Sequence, residues 1–150
     1  METRNQLFKL LFIGLFLESL AMSFVYGTYL EVVFIGLPAL VMPLYFTKVA
    51  PDSVLTRHTS AIAAMIFACL HIHQMNGLIE VHFEIFILMA FLIIYSDWRV
   101  FISAILVVAV HHLSFYYLQL NNVGVYIFDA DRLQFSTVLI HAAYAVVEAL

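Results

Sequence analysis

Apolar residues run along this chain in blocks of up to about twenty, each closed by a short cluster of polar or turn-forming residues. Six blocks stand out, at 7–26, 29–46, 55–74, 79–95, 100–120 and 133–150. A helix rises ~1.5 Å per residue, so roughly 20 apolar residues cross the hydrocarbon core of a bilayer. The pattern predicts an all-α, polytopic membrane helical bundle of six transmembrane helices, one domain over residues 1–150. The breaks agree with turn chemistry. Gly27-Thr28 separates the first two blocks, Asn76-Gly77 makes a tight turn from residues that accept positive φ, and Pro51-Asp52-Ser53 and Ser96-Asp97-Trp98-Arg99 make polar turns. Ser96 or Asp97 is placed to cap the fifth helix. Pro38 and Pro43 each remove a backbone donor, which predicts a kink in the second span.

Composition supports this reading and excludes others. Hydrophobic residues make up 65% of the 150, charged residues only 11%, and mean hydropathy is +1.03. A soluble domain carries about a quarter charged residues, and a chain this short could not hide so much apolar surface from water. With six Lys and Arg and a net charge of −4 there is no basic face for nucleic acid. The single Cys69 sits in an apolar run as a small core residue. Arg4 and Lys9 precede the first block with no small-residue cleavage site behind it, so that block reads as a retained span. If the N-terminus is cytoplasmic, the inner segments hold Arg4, Lys9, Lys48, Arg57 and Arg99, and the outer ones Arg132 alone. Cytoplasmic loops are enriched in such residues, so both termini are expected inside.

The chemistry is concentrated between the third and fourth blocks. From His71 to Glu84 the chain carries His71, His73, His82, Glu80 and Glu84, and His111, His112 and His141 lie inside later apolar runs. His111 and His112 follow Arg99 by twelve and thirteen residues, roughly 18–20 Å of helix. His141 follows Arg132 by nine, roughly 13 Å from the opposite side and nearly the same level in a core roughly 30 Å thick. Six of the seven histidines thus fall in the outer half, on four helices. His58, beside Arg57, reads as an ordinary interfacial residue. Ionisable groups inside spans are costly and mark sites. His71 and His73 differ by roughly 200° around a helix, so they cannot both face one centre.

Imidazole is a common ligand for haem iron and transition metals. His71, His73, His82, His111, His112 and His141 are the candidate ligands of a haem b, one or two per protomer, with copper or zinc as the alternative. Glu80, Glu84, Gln119 and Tyr144 are candidates to orient them, since a ligating imidazole gives its other N–H to an acceptor. Phe83, Phe86, Phe115, Tyr116 and Tyr117 add aromatic surface for a flat macrocycle. A diiron oxygenase would require another histidine where Val108 and Ala109 precede the His111-His112 pair. No Gly-rich phosphate loop or nucleophile motif occurs, so no enzyme is expected.

Ile72-His73, Gly77-Leu78-Ile79-Glu80, His82-Phe83, Tyr95-Ser96-Asp97-Trp98-Arg99, His111-His112-Leu113, Gln119, Val125-Tyr126-Ile127-Phe128 and His141-Ala142-Ala143-Tyr144 carry a resemblance. Together they resemble the N-terminal membrane domain of certain bacterial methyl-accepting chemotaxis proteins, a domain also found on some diguanylate cyclases and sensor kinases. The resemblance spans residues 70–150. It implies a sensory input module of the bacterial inner membrane, a homodimer, and a cytoplasmic signalling module in the same chain beyond Leu150. The competing expectation is a small electron-transfer cytochrome b.

Overall fold

The computed structural model describes residues Glu2–Glu148, so Ala149 and Leu150 at the end of the sixth block lie outside the described residues. The described residues are helical, without strands, and form six helices. Helix α1 is Glu2–Tyr26, α2 is Tyr29–Val49 and α3 is Val54–Gln74. Helix α4 is Phe83–Leu92, entered by a 3₁₀ turn Ile79–His82 and left by another, Ile93–Tyr95. Helix α5 is Arg99–Leu120 and α6 is Phe135–Glu148. Four of the six (Thr3–Tyr26 within α1, with α2, α3 and α5) are long and apolar enough to cross a membrane, and α6 is a shorter apolar helix.

The turns arise as the sequence suggests. Gly27 (φ 72°), Asn76 (φ 55°) and Gly77 (φ 78°) take left-handed conformations, and so does Ser96 (φ 50°), which turns the chain without capping α5. Ser53 caps α3 by accepting the Thr56 backbone N–H at 3.0 Å. Asp97 accepts the Arg99 N–H at 3.2 Å, although α5 has no side-chain bond at its capping residue, Trp98. The second block, where a kink is expected at the prolines, carries a π turn. Residues 29–49 form one helical run containing that turn, Val32–Gly36, closed by the Leu37 N–H donating to the Val32 carbonyl. One extra residue in the turn just before Pro38 accommodates the missing proline donor.

Helix α3 is the hub. In its most apolar stretch 72% is buried, against 22–28% for the other three long helices. It packs on α1, α2, α4 and α5. Ser60, Ala61, Ala63, Ala64 and Ala68 are almost wholly buried there, and such small side chains let backbones approach closely. Helix α1 answers with one stripe, Phe8, Phe12, Leu15, Ser19 and Ser23, all buried at spacings of three and four. Outward-facing residues of the bundle are largely apolar, among them Leu10, Phe24, Phe34, Val110 and Val147.

Two ion pairs tie together one end of the bundle. Arg4 pairs with Asp52 and lies over the Tyr95 ring, 5.5 Å from its centroid. Arg57 pairs with Asp97 at 3.0 Å. The N-terminus, the 50–53 turn and the 96–99 turn therefore share one end. The other end carries the Gly27 and Asn76-Gly77 turns and the 121–134 connection, which tucks Ile127 and Phe128 wholly inside the bundle.

Candidate metal centre

Three of the candidate histidines meet. His82 ends the 3₁₀ turn before α4, His112 lies midway along α5 and His141 lies on α6. Their ring centroids stand 5.5 Å (82–112), 4.9 Å (82–141) and 5.9 Å (112–141) apart. Phe128 closes the cluster, stacked on His82 at 5.3 Å and 15° and touching His112 and His141 at 6.0 and 5.0 Å.

Their hydrogen bonds share one pattern. Each Nδ1 contacts the backbone carbonyl four residues earlier: His82 to Leu78 at 3.2 Å, His112 to Val108 at 2.9 Å, His141 to Thr137 at 2.8 Å. A carbonyl only accepts, so each Nδ1 carries the proton and each Nε2 keeps a lone pair. The Nε2 atoms of His82 and His112 are buried with no protein partner. A ligating imidazole characteristically has this arrangement, with one nitrogen free and the other N–H held by a carbonyl. The three rings thus fit a transition-metal ion. They stand open, however: one nitrogen from each does not yet bring all three within 4.8 Å.

The fit to a haem is different. At 4.9–5.9 Å between ring centroids, each pair stands too close for a macrocycle to lie between its two imidazoles. Beside His82 and His141, however, opens an apolar cleft of about 400 Å³ lined by Phe83, Phe86, Ile140 and Tyr144. Tyr144 is largely exposed along it.

The remaining candidates go elsewhere. His71, wholly buried, turns toward α1 and α4. Its Nδ1–H donates to the Glu84 carboxylate at 2.8–2.9 Å, and its Nε2 lies 2.6 Å from the Ser19 hydroxyl. Glu18, His71 and Glu84 bring ligand atoms within 4.8 Å of one another, the one group of three to do so among the described residues. His73 faces α5 and the 121–134 connection, where its Nδ1 accepts the Tyr126 backbone N–H at 3.2 Å. His111 adjoins His112 at 5.4 Å and packs on Phe115 at 4.2 Å, with both ring nitrogens buried and unpartnered. Glu80 is exposed, away from the three rings' hydrogen bonds. Gln119 bonds no histidine. Its Oε1 accepts the Ile127 N–H at 2.7 Å and its Nε2 donates to the Phe128 carbonyl at 2.8 Å, so it anchors the segment that brings Phe128 to the cluster. His58 bonds Ser103 across α3 and α5 at 2.7 Å.

Sequence reasoning missed Ser19, Gln74 and the wall made by Phe128. Gln74 is fully buried and donates to the Ser19 carbonyl and the Thr28 hydroxyl. The signal was present: polar residues inside apolar blocks need partners, and Ser19, Ser23 and Gln74 are such residues. The chain matches no family model, no curated protein and no solved structure.

Proposed function

We propose that this chain is a membrane-embedded sensory input module that takes a copper or zinc ion on His82, His112 and His141. The observation that carries the reading is the shared hydrogen-bonding state of three rings from three chain segments: each Nδ1–H held by a carbonyl, the Nε2 left as the free ligand atom. The module crosses the bacterial inner membrane six times, with both termini and the end of the bundle that carries the two ion pairs in the cytoplasm. The excess of Arg and Lys at that end supports the orientation. The histidines then lie in the outer half of the bilayer. Resemblance to chemoreceptor membrane domains supports a homodimer and a signalling module carried by the same chain.

The open geometry supports a mechanism. Zinc–imidazole bonds are about 2.0–2.1 Å, so three ligand nitrogens on one ion stand about 3.4 Å apart. Binding therefore requires the rings to close. Helix α6 packs principally on α5, so it is the element free to follow. An ion that binds the closed arrangement better than the open one shifts the population toward it, and the displacement of α6 is the signal.

A haem is the second reading, favoured by the apolar cleft beside His82 and His141 with its aromatic walls. Purified protein tests both. Elemental analysis showing one copper or zinc per chain, lost in His112→Ala and His141→Ala and kept in His58→Ala, supports the ion. A Soret band on haem addition, abolished by His82→Ala or His141→Ala without stoichiometric metal, replaces it with the haem.

A further inference from the structure

We infer that the cavity between α2, α3 and α5 is a binding site for the head group of a lipid-soluble quinone. The cavity measures about 470 Å³, within the usual range for small-molecule sites. Its walls are apolar, with Ile35 from α2, Ile66 and Leu70 from α3, and Val107 and Val110 from α5. Ile35, Leu106 and Val110 are exposed at its rim, so it opens on the apolar flank of the bundle, where a molecule dissolved in lipid would enter.

The polar groups inside define what fits. Ser114 also lines the cavity, but its hydroxyl is committed to the Val110 carbonyl at 2.6 Å. His73 accepts the Tyr126 N–H on Nδ1, which in the neutral ring places its own proton on Nε2 and makes that atom a donor. His111 is 8% exposed, and neither ring nitrogen has a partner. A buried polar group without a partner is destabilising, so a ligand that supplies one is favoured. Phe115 lies against both rings, 4.2 Å from His111 and 5.8 Å from His73.

The cavity thus brings together two imidazole rings, one aromatic face and apolar walls. No Lys or Arg lines it, so a phosphate head group would find no counter-charge. A bare hydrocarbon chain would leave the imidazoles unsatisfied. A flat, neutral ring with two carbonyl oxygens meets every condition. The site is separate from the three-histidine cluster, but His111 and His112 are consecutive on one helix. An occupant of the cavity therefore lies one residue from the ion site.

The test uses the full chain in lipid nanodiscs and a short-tailed photoreactive ubiquinone analogue. Labelling should map to peptides containing residues 66–73 or 106–115 and be displaced by unlabelled decylubiquinone. An alkylbenzene of equal tail length, lacking the carbonyls, should compete at least about tenfold less well, as expected for one lost buried hydrogen bond. His111→Phe and His73→Phe should each weaken labelling about tenfold while keeping the ion stoichiometry of the wild type, whereas His112→Ala should keep the labelling. Equal competition by the alkylbenzene, labelling unchanged in both Phe variants, or a phospholipid held in the cavity against quinone by native mass spectrometry would overturn the assignment. Loss of metal binding alone leaves it standing.

Discussion

Gly77 lies directly beneath the backbone of Phe128: a Cβ built on Gly77 would meet the Phe128 nitrogen and carbonyl carbon at 2.6 Å. Gly77 also takes φ 78° and donates to the Ile72 carbonyl at 2.9 Å, closing the end of α3. The tight turn after α3 and the wall of the histidine cluster are therefore one contact. Gly77→Ala combines a left-handed backbone penalty with a clash against main chain, and should cost about 2 kcal/mol or more. Thermal unfolding should show the loss, and ion affinity should fall with it because Phe128 is displaced from His82.

Gln119 should matter to the site without touching it. Gln119→Ala strips the Ile127 N–H and the Phe128 carbonyl of their buried partner, a cost of about 1–3 kcal/mol. Because the connection is not part of the helical bundle itself, the expected outcome is a weakened metal site in a protein that keeps its helical circular dichroism. An unchanged ion affinity in this variant would show that Phe128 is not needed to set the rings.

The network at His71 should behave in the opposite way. Glu84→Ala leaves the wholly buried His71 Nδ1–H without an acceptor and should destabilise the bundle by about 1–3 kcal/mol, with Glu84→Gln milder because the amide oxygen still accepts. Ser19→Ala should cost about 1 kcal/mol. Neither should change binding at His82, His112 and His141, and a denaturant series run beside a metal titration separates the two effects.

The Arg57–Asp97 pair joins the start of α3 to the turn before α5, with side chains 27% and 13% exposed. Its partial exposure keeps the coupling modest. A double-mutant cycle with Arg57→Ala and Asp97→Ala should give about 1 kcal/mol, reduced at high salt. Asp97 also accepts the Arg99 N–H, so Asp97→Ala alone should cost more than the coupling.

Much of the helical layout was legible because it rests on local rules. Block length set the helices, and Gly27 and Asn76-Gly77 set turns through φ values most other residues avoid, whereas the left-handed Ser96 was not legible from its residue type. The π turn before Pro38 was not legible, since a missing donor can be met by a kink or by one added residue, and the sequence does not distinguish them. The histidines divide in the same manner. Spacing alone separates His71 from His73, and the structure sends them to opposite neighbours. That His82, His112 and His141 meet depends on how α4, α5 and α6 are rotated about their axes, which packing decides. Gln119 shows the same limit: its place near the histidines in sequence suggested a bond to one, but the intervening loop claims both its amide atoms.

The alanines of α3 carry a last consequence. Ala61, Ala64 and Ala68 have at most 1% of their surface exposed, so neighbouring helices rest nearly on the α3 backbone itself. A longer side chain at Ala64 has nowhere to fold away and must push several helices outward together. Tolerance to substitution in this protein should thus be poorest at its smallest residues, whereas bulky outward-facing ones such as Phe34 and Val110 exchange freely for other apolar types.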